Sequence, residues 1–225
     1  STQASRVKNL QLTNQTYTIK STINFKDHSG AYVRFPFTMS GLGSNREGSA
    51  STIKADASFT DANMFTFADT AGSGTNSYYN FSDFTLDGTN LSLNGIVEEV
   101  SGGSWNIERM SFINIQGVAV LTSKFDSLNL LRCTFVGNDI CYQTSTTTGG
   151  TNVLNIKDCE FSSNDEWAII HTGSTGGSVE GCTIQSNDIG GIHLSGARGF
   201  RITGNHFEEN GTIGATMTPD GTVKA

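Results

Sequence analysis

The chain has 225 residues, with 14 Lys and Arg against 21 Asp and Glu, so its formal net charge at neutral pH is −7. This negative balance argues against nucleic acids and anionic membrane surfaces as partners. A hydrophobic share of 36% and a charged share of 16% exclude a disordered chain and a coiled coil. No apolar run reaches the roughly 18 residues that a membrane-spanning helix needs, so no membrane insertion is expected.

The first part of the chain is irregular. Residues 1–16 are polar and weakly patterned, and we predict that they form an N-terminal extension or cap, because the first coil of a repeat protein needs covering. Alternation typical of short strands follows at 17–19, 23–25, 32–35, 51–54, 64–67 and 79–81. At the other end, Thr218-Pro-Asp-Gly221 breaks the pattern, and 211–225 is predicted to be a C-terminal tail or the start of a cap.

A repeat begins near residue 81. Its consensus is apolar-x-x-Cys-x-Phe-x-x-Asn, and its clearest copy runs from Ile156 to Asn164. The other copies begin at Phe81, Ile107, Leu130, Val179 and Ile202, which gives steps of 26, 23, 26, 23 and 23 residues. A fixed period of this length indicates a solenoid protein.

The pattern inside each period predicts the fold. The copy around Cys159 contains three apolar pairs at i, i+2, namely Leu154/Ile156, Cys159/Phe161 and Ala168/Ile170. Each pair is predicted to supply two inward side chains of a short strand. The leucine-rich repeat consensus is absent, and the other common repeats are longer and helical. We therefore predict an all-β, right-handed parallel β-helix over 17–210, with three short strands per coil and roughly eight or nine coils in one domain.

Successive coils place equivalent residues on top of one another. The predicted inward columns are Phe84, Met110, Cys133, Cys159, Cys182 and Asn205, and Leu86, Phe112, Phe135, Phe161, Ile184 and Phe207. A third column at one turn contains Asn138, Asn164, Asn187 and Asn210, whose amides can bond to one another, so we interpret it as structural. The stacked cysteines are expected to be free buried thiols, and Trp105 is expected in the core.

Four segments carry a resemblance to a known family. Tyr17-Thr-Ile19, Ser40-Gly-Leu42-Gly43, Ser51-Thr-Ile53 and Phe84-Thr-Leu86-Asp-Gly88 resemble the opening of pectate-lyase-superfamily β-helix domains, in particular those of bacteriophage tailspikes and related surface-polysaccharide depolymerases. The resemblance extends over about residues 17–210. It implies a bacterial O-antigen or capsule as ligand, a parallel homotrimer, and a place on a virion or outside the cell. The family includes lyases, hydrolases and binding modules, and the polygalacturonase signature is absent, so the activity stays open.

Candidate chemistry must lie on the outside of the coils. Asp139, Asp165 and Asp188 each follow an Asn of the third column, so neighbouring carboxylates would be about 4.8 Å apart and alternate ones about 9.6 Å. These spacings bracket the separations of about 5 Å and about 6.5 to 9.5 Å that retaining and inverting glycosidases use. Stacked like charges also raise the pKa of one member, as a general acid requires. The alternative is ordinary turn composition.

The following strand offers a second set of candidates. If Ile170 and Ile192 point inward, His171 and His193 point outward on adjacent coils with Gln143 beneath them, where they could act as a base or bind a sugar hydroxyl. Glu166 and Trp167 lie between the two sets, and the indole could stack on a sugar. The alternatives are solvated polar residues and a ring folded over the coil edge. Two histidines are too few for a metal site, and neither metal nor cofactor is predicted.

Three functional hypotheses therefore stay open. The chain could recognise and depolymerise a bacterial surface polysaccharide, as a lyase or a glycoside hydrolase. It could bind the glycan without cutting it. It could also be a structural segment of a virion or an adhesin.

Overall fold

The computed structural model describes residues 9–25, 37–43, 51–68, 78–99, 103–123, 125–144, 151–211 and 213–217. None of these residues is helical, and they form 24 short strands. Within this part of the chain, no helix is long and apolar enough to cross a membrane.

The strands belong to three parallel sheets. The first sheet contains, in spatial order, β1 (Asn9–Gln11), β4 (Phe37–Ser40), β7 (Tyr78–Ser82), β10 (Ser104–Glu108), β13 (Ser127–Leu131), β16 (Thr151–Lys157), β19 (Ser174–Glu180) and β22 (Phe200–Thr203). The middle sheet contains β2 (Thr16–Ile19), β5 (Thr52–Ala55), β8 (Thr85–Leu91), β11 (Ser111–Ile115), β14 (Thr134–Val136), β17 (Glu160–Ser162), β20 (Thr183–Gln185) and β23 (His206–Glu208). The third sheet contains β3 (Ile23–Asn24), β6 (Asn63–Ala68), β9 (Asn94–Glu99), β12 (Val118–Thr122), β15 (Ile140–Thr144), β18 (Trp167–Thr172), β21 (Gly190–Ser195) and β24 (Ile213–Met217).

Every third strand pairs in parallel, so the chain winds through eight coils. The predicted repeat register is confirmed, because Ile107 aligns with Phe81 below and Leu130 above, and the later copies continue the column. The segment predicted to be an N-terminal extension or cap contains β1, which pairs with β4. The segment predicted to be a C-terminal tail contains β24, which pairs with β21.

The turn from the first sheet to the middle sheet is the same in six successive coils. From β7 onward it has two residues, and the first of them has a positive φ. These left-handed positions are Asp83 at 64°, Arg109 at 50°, Arg132 at 54°, Asp158 at 53°, Gly181 at 64° and Gly204 at 65°. One left-handed residue bends the chain sharply enough that the next residue points into the core. Arg109 also donates to Asp83, with Nε and Oδ1 2.6 Å apart, in an exposed ion pair that adds little stability.

The turn from the middle sheet to the third sheet is held by the Asn column. Asn138 Nδ2 lies 3.1 Å from Asn164 Oδ1 and 3.0 Å from the Phe112 carbonyl oxygen. The bonds from Asn164 to Asn187 and from Asn187 to Asn210 are each 2.7 Å long. All four side chains are buried. The predicted structural role of this column is confirmed, since each amide both donates and accepts.

The core consists of the predicted inward columns. Phe112, Phe135 and Phe161 stack with ring centroids 4.8 and 4.9 Å apart and almost parallel planes. Trp105 is 1% exposed and packs against Tyr79, with centroids 4.4 Å apart, so its predicted place in the core is confirmed. Rings stacked at the strand spacing pack closely in the interior.

The cysteines are free and buried, as predicted. In the column, the Cys133 amide donates to Cys159 Sγ at 3.4 Å, and the Cys159 amide donates to Cys182 Sγ at 3.5 Å. Burial raises the pKa of the Cys159 and Cys141 thiols. These sulfurs therefore act as small apolar core groups that also satisfy backbone donors.

The third sheet differs from the prediction in one respect. Ala168 and Ile169 are both fully buried, so two adjacent residues point inward where β18 begins. This shifts the alternation by one residue, and Ile169 rather than Ile170 aligns with the buried Ile192. The predicted inward pair Ala168/Ile170 is therefore wrong at Ile170, which lies on the outer face.

Candidate functional site

The three aspartates of the predicted column lie in register at successive turns. The backbone amide of Asp165 donates to the Asn138 carbonyl at 2.8 Å, and that of Asp188 donates to the Asn164 carbonyl at 2.9 Å. Asp139 is partly buried, whereas Asp165 and Asp188 are exposed. Consecutive turns thus carry one aspartate of this column each, on backbones separated by the strand spacing of about 4.8 Å.

Asp139 has the unusual electrostatic environment in this column. Burial raises the pKa of its carboxyl group, and the nearby carboxylates of Asp165 and Glu166 raise it further. Glu166 is held beside Asp139 because its backbone amide donates to the Asp139 carbonyl at 2.9 Å. A raised pKa, caused by burial and by neighbouring carboxylates, is one of the properties that a general acid requires.

Trp167 in β18 and His193 in β21 make an aromatic contact next to the acidic turn. The rings of Trp167 and His193 meet edge to face, with centroids 5.4 Å apart and planes at 67°. Both side chains are partly buried. Trp167 aligns with Gly190 on the neighbouring strand, a position that has no side chain. The pair therefore forms a partly exposed aromatic surface directly after the acidic turn.

Gln143 lies on the same outer face, as predicted. It aligns with Ile170, which in turn aligns with His193, so the three side chains form one outward column on adjacent coils. All three are partly buried. Ile189, next to Asp188, adds an exposed apolar side chain at 41%.

The prediction that His171 points outward is wrong. His171 is 0% exposed and lies inside the coil, in the column that contains Thr144 and Leu194. Its Nδ1 is 3.3 Å from the Tyr142 hydroxyl, which is itself 3.3 Å from Thr122 Oγ1. A short polar chain therefore runs through the core across three coils, and His171 does not lie beside the aspartates.

Burial determines the protonation of His171. It lowers the pKa of the imidazole to about 4. The other nitrogen, Nε2, has no hydrogen-bond partner among the described residues, and the imidazole packs against Phe200 with centroids 5.5 Å apart. A neutral ring is stable there, but a protonated ring would be a buried cation without a counter-charge.

Glu98 lies inside the coil. It is 1% exposed, and its Oε2 accepts a hydrogen bond from the Ser123 amide at 2.9 Å. The side chain of Glu99 lies outside the described residues. Across the part of the chain that the structure describes, no three or more His, Cys, Asp or Glu side chains are grouped so that they could hold a metal ion.

Sequence reasoning missed two features of the site. The contact between Trp167 and His193 joins two neighbouring coils, and the inward position of His171 depends on the shift at Ala168. The inward position of His171 could have been found by alignment of the repeats. When Tyr142 is aligned with the buried apolar residues Val120 and Ile192, His171 falls on the inner face.

Comparison with known proteins places the fold. The model of a family described as "Right handed beta helix region" matches residues 94–225, more than half of the chain. A solved structure described as ORF18 of Geobacillus virus E2 matches with 13% identity and a TM-score of 0.41. That match covers 95% of this chain and 54% of the viral chain, so this chain spans about half the length of the structure it matches. No curated protein matches the chain.

Proposed function

We propose that this chain, which belongs to the family of right-handed β-helix regions, recognises a bacterial surface polysaccharide on the outer face of its third sheet. The observation that carries the proposal is the partly exposed ring pair of Trp167 and His193 beside the carboxylates of Asp165 and Glu166. The tailspike resemblance of the sequence favours O-antigen or capsule as the polysaccharide.

The chemistry of this surface suits a sugar. The C–H groups of a pyranose ring pack on an indole, while its hydroxyl groups donate to carboxylates such as those of Asp165 and Asp188. Gln143 and His193 can both donate and accept, as hydroxyl recognition requires. The repeat places similar groups along the coil axis, so an extended polymer could contact several coils at once.

A second function, hydrolysis of the bound polymer, is favoured by the raised pKa of Asp139 next to Asp165. The coil spacing of about 4.8 Å is close to the carboxyl separation of about 5 Å in retaining glycosidases. In that mechanism, Asp139 gives its proton to the leaving oxygen while Asp165 attacks the anomeric carbon. Water then hydrolyses the glycosyl ester, and its proton returns to Asp139.

The first test is binding. The purified chain is titrated with a panel of bacterial O-antigens and capsules, and Trp167→Ala is compared with His206→Ala, an exposed histidine on the middle sheet. We expect Trp167→Ala to weaken binding at least about tenfold, because the indole surface is lost. His206→Ala should bind like the wild type. Equal affinity of wild type and Trp167→Ala would mean that the glycan binds elsewhere on the chain. No affinity for any glycan would leave only the hypothesis of a structural segment.

The second test is release of oligosaccharides, followed by mass spectrometry. We expect discrete fragments from the wild type and a loss of at least about a hundredfold in rate for Asp139→Asn and for Asp165→Asn. Glu160→Gln, on the middle sheet, serves as the matched carboxylate control and should release fragments at the wild-type rate. If the wild type binds glycan but releases no fragments, the proposal of recognition stands and the proposal of hydrolysis is contradicted.

The same proposal includes assembly and location. The tailspike resemblance favours a parallel homotrimer on a virion or at another extracellular site. Light scattering on the purified chain should then give three times the mass of one chain, and a monomeric mass would remove the trimer without affecting the binding test.

A further inference from the structure

Positive charge is missing from one side of the coil stack. From β6 onward, no strand of the third sheet and no turn leading into it from the middle sheet contains Lys or Arg. The described basic residues of the same coils lie in the other two sheets or at the other two turns, at positions 54, 109, 132, 157, 198 and 201. The described strands and turns that carry the Trp167 and His193 pair therefore contain no basic side chain.

Negative charge is concentrated on that same side. The turn into the third sheet carries Asp139, Asp165, Glu166, Asp188 and Glu209 in four successive coils. The carboxylates are close enough that Asp165 and Glu166 act on Asp139. Charges of one sign that are stacked at the strand spacing reinforce one another, so the field over the aromatic pair is negative.

We infer that this site selects polysaccharides that are uncharged or carry free amino groups and excludes those with uronic acid, sialic acid or phosphate groups. The inference rests on the proposed function and names the chemical class of its ligand. An acidic sugar on the indole of Trp167 would bring its anion towards Asp165 and Asp188 with no Lys or Arg from these segments to pair with it. A sugar ammonium group would instead meet two carboxylates.

The charge of the site also decides between the two ways of cutting a glycan. Elimination removes a proton beside the carboxylate of a uronic acid, and an enzyme promotes this step with positive charge against that carboxylate. The acidic column places negative charge against that carboxylate, which opposes elimination. It also repels the uronic acid that elimination needs as its substrate. Hydrolysis needs two carboxyl groups close together, and Asp139 and Asp165 supply them on neighbouring turns.

The test uses matched pairs of glycans that differ only in charge. The first pair is an acidic capsular polysaccharide before and after its uronic acids are reduced to neutral sugars. The second pair is a de-N-acetylated amino-sugar polymer before and after N-acetylation. We expect the neutral form to bind more tightly than the acidic form, and the free amine more tightly than the acetylated form. Each difference should be about fivefold or more at low ionic strength, the effect of one charge contact across about 4 Å of water.

A charge variant separates the site from the rest of the surface. In the double variant Asp165→Asn with Asp188→Asn, discrimination within each pair should fall to less than about twofold, because two of the stacked charges are removed. Glu160→Gln removes one charge from the middle sheet and should keep the wild-type discrimination.

Two results would overturn the inference. One is tighter binding of the acidic form than of the neutral form. This includes the case in which the acidic form binds only with calcium and is released by a chelator. The other is unchanged discrimination in the double variant. If the folded wild type binds no glycan of any charge, the proposed function fails first, and this result is distinct from binding with the wrong charge preference.

Discussion

His171 is a histidine enclosed in the core, and it can stay there only as the neutral form. Its Nδ1 contacts the Tyr142 hydroxyl, while Phe200 packs against the ring. Among the described residues that pack against it, Tyr142 is the titratable group, and burial raises the pKa of that hydroxyl. No carboxylate in this contact set can stabilise an imidazolium, so protonation opposes folding.

This places a pH dependence in the stability of the fold. The pKa of His171 is about 4 in the folded chain and near 6.5 when unfolded, so only the unfolded chain gains the proton between these values. The stability that depends on neutral His171 is fully present above about pH 6.5. The free energy of unfolding decreases by about 3 kcal/mol as the pH falls from there to about 4. Denaturant unfolding at several pH values should show this loss in the wild type but not in His171→Leu.

The matched control is His193→Gln, which removes the outward histidine and should keep the wild-type pH dependence. Carboxylates titrate in the same range in all three proteins, so the comparison isolates the imidazole. Identical pH profiles for wild type and His171→Leu would contradict the buried neutral state.

At the scale of single elements, the turns hold the three sheets at fixed angles. The turn from the first sheet to the middle sheet does so with one left-handed residue. The turn from the middle sheet to the third sheet does so with an Asn side-chain amide that is hydrogen-bonded to both neighbouring coils. Asn164 donates to Asn187 and to the Phe135 carbonyl, and its Oδ1 accepts from the Asn138 side chain and amide. One side chain therefore satisfies groups in two neighbouring coils.

Removing that amide should be costly. Asn164→Ala removes the buried hydrogen bonds that Asn164 makes with the Phe135 carbonyl and with the backbone and side-chain amides of Asn138, so we expect a loss of about 2 to 4 kcal/mol in the free energy of unfolding. Asn129→Ala is the matched control, because Asn129 Oδ1 accepts from Asn155 at 3.0 Å on the partly exposed outer face. Its loss should stay below about 1 kcal/mol. Equal losses in chemical denaturation would contradict the role of the buried ladder.

On the scale of the whole molecule, each coil contacts only its neighbours, so local stability follows the packing of each coil. Phe135 in a middle coil is 0% exposed, whereas Phe207, which occupies the same column in β23, is 37% exposed. The middle sheet ends at β23 in the described part of the chain. Protection is therefore expected to decrease along the axis towards β22 and β23.

Hydrogen exchange followed by mass spectrometry measures this gradient. Amides in 202–208 should exchange at least about tenfold faster than those in 130–136, because fewer buried contacts oppose their opening. A trimer contact would protect outer faces of all coils and would leave this order unchanged. Equal protection in the two segments would show that the coils open together.

The repeat made much of this fold predictable from sequence. Phe135 and Cys159 recur at a fixed period, and in a parallel stack a fixed period means a shared column. Asp165 and Asp188 were predictable for the same reason, since each follows a ladder Asn. His171 was not, because its direction depends on two adjacent inward residues at the start of β18. The contact of Trp167 with His193 was not predictable either, because the two residues are not register partners and the contact depends on side-chain direction.

The corner between the third and first sheets varies most in length. From β9 onward it spans four, four, six, one and four residues, while the corner between the first and middle sheets keeps two residues in each coil. In evolutionary terms, the variable corner can accept insertions that change surface features, because the stacked columns below it keep their register. Descendants of one such chain would diverge first along that edge and would conserve the opposite corner.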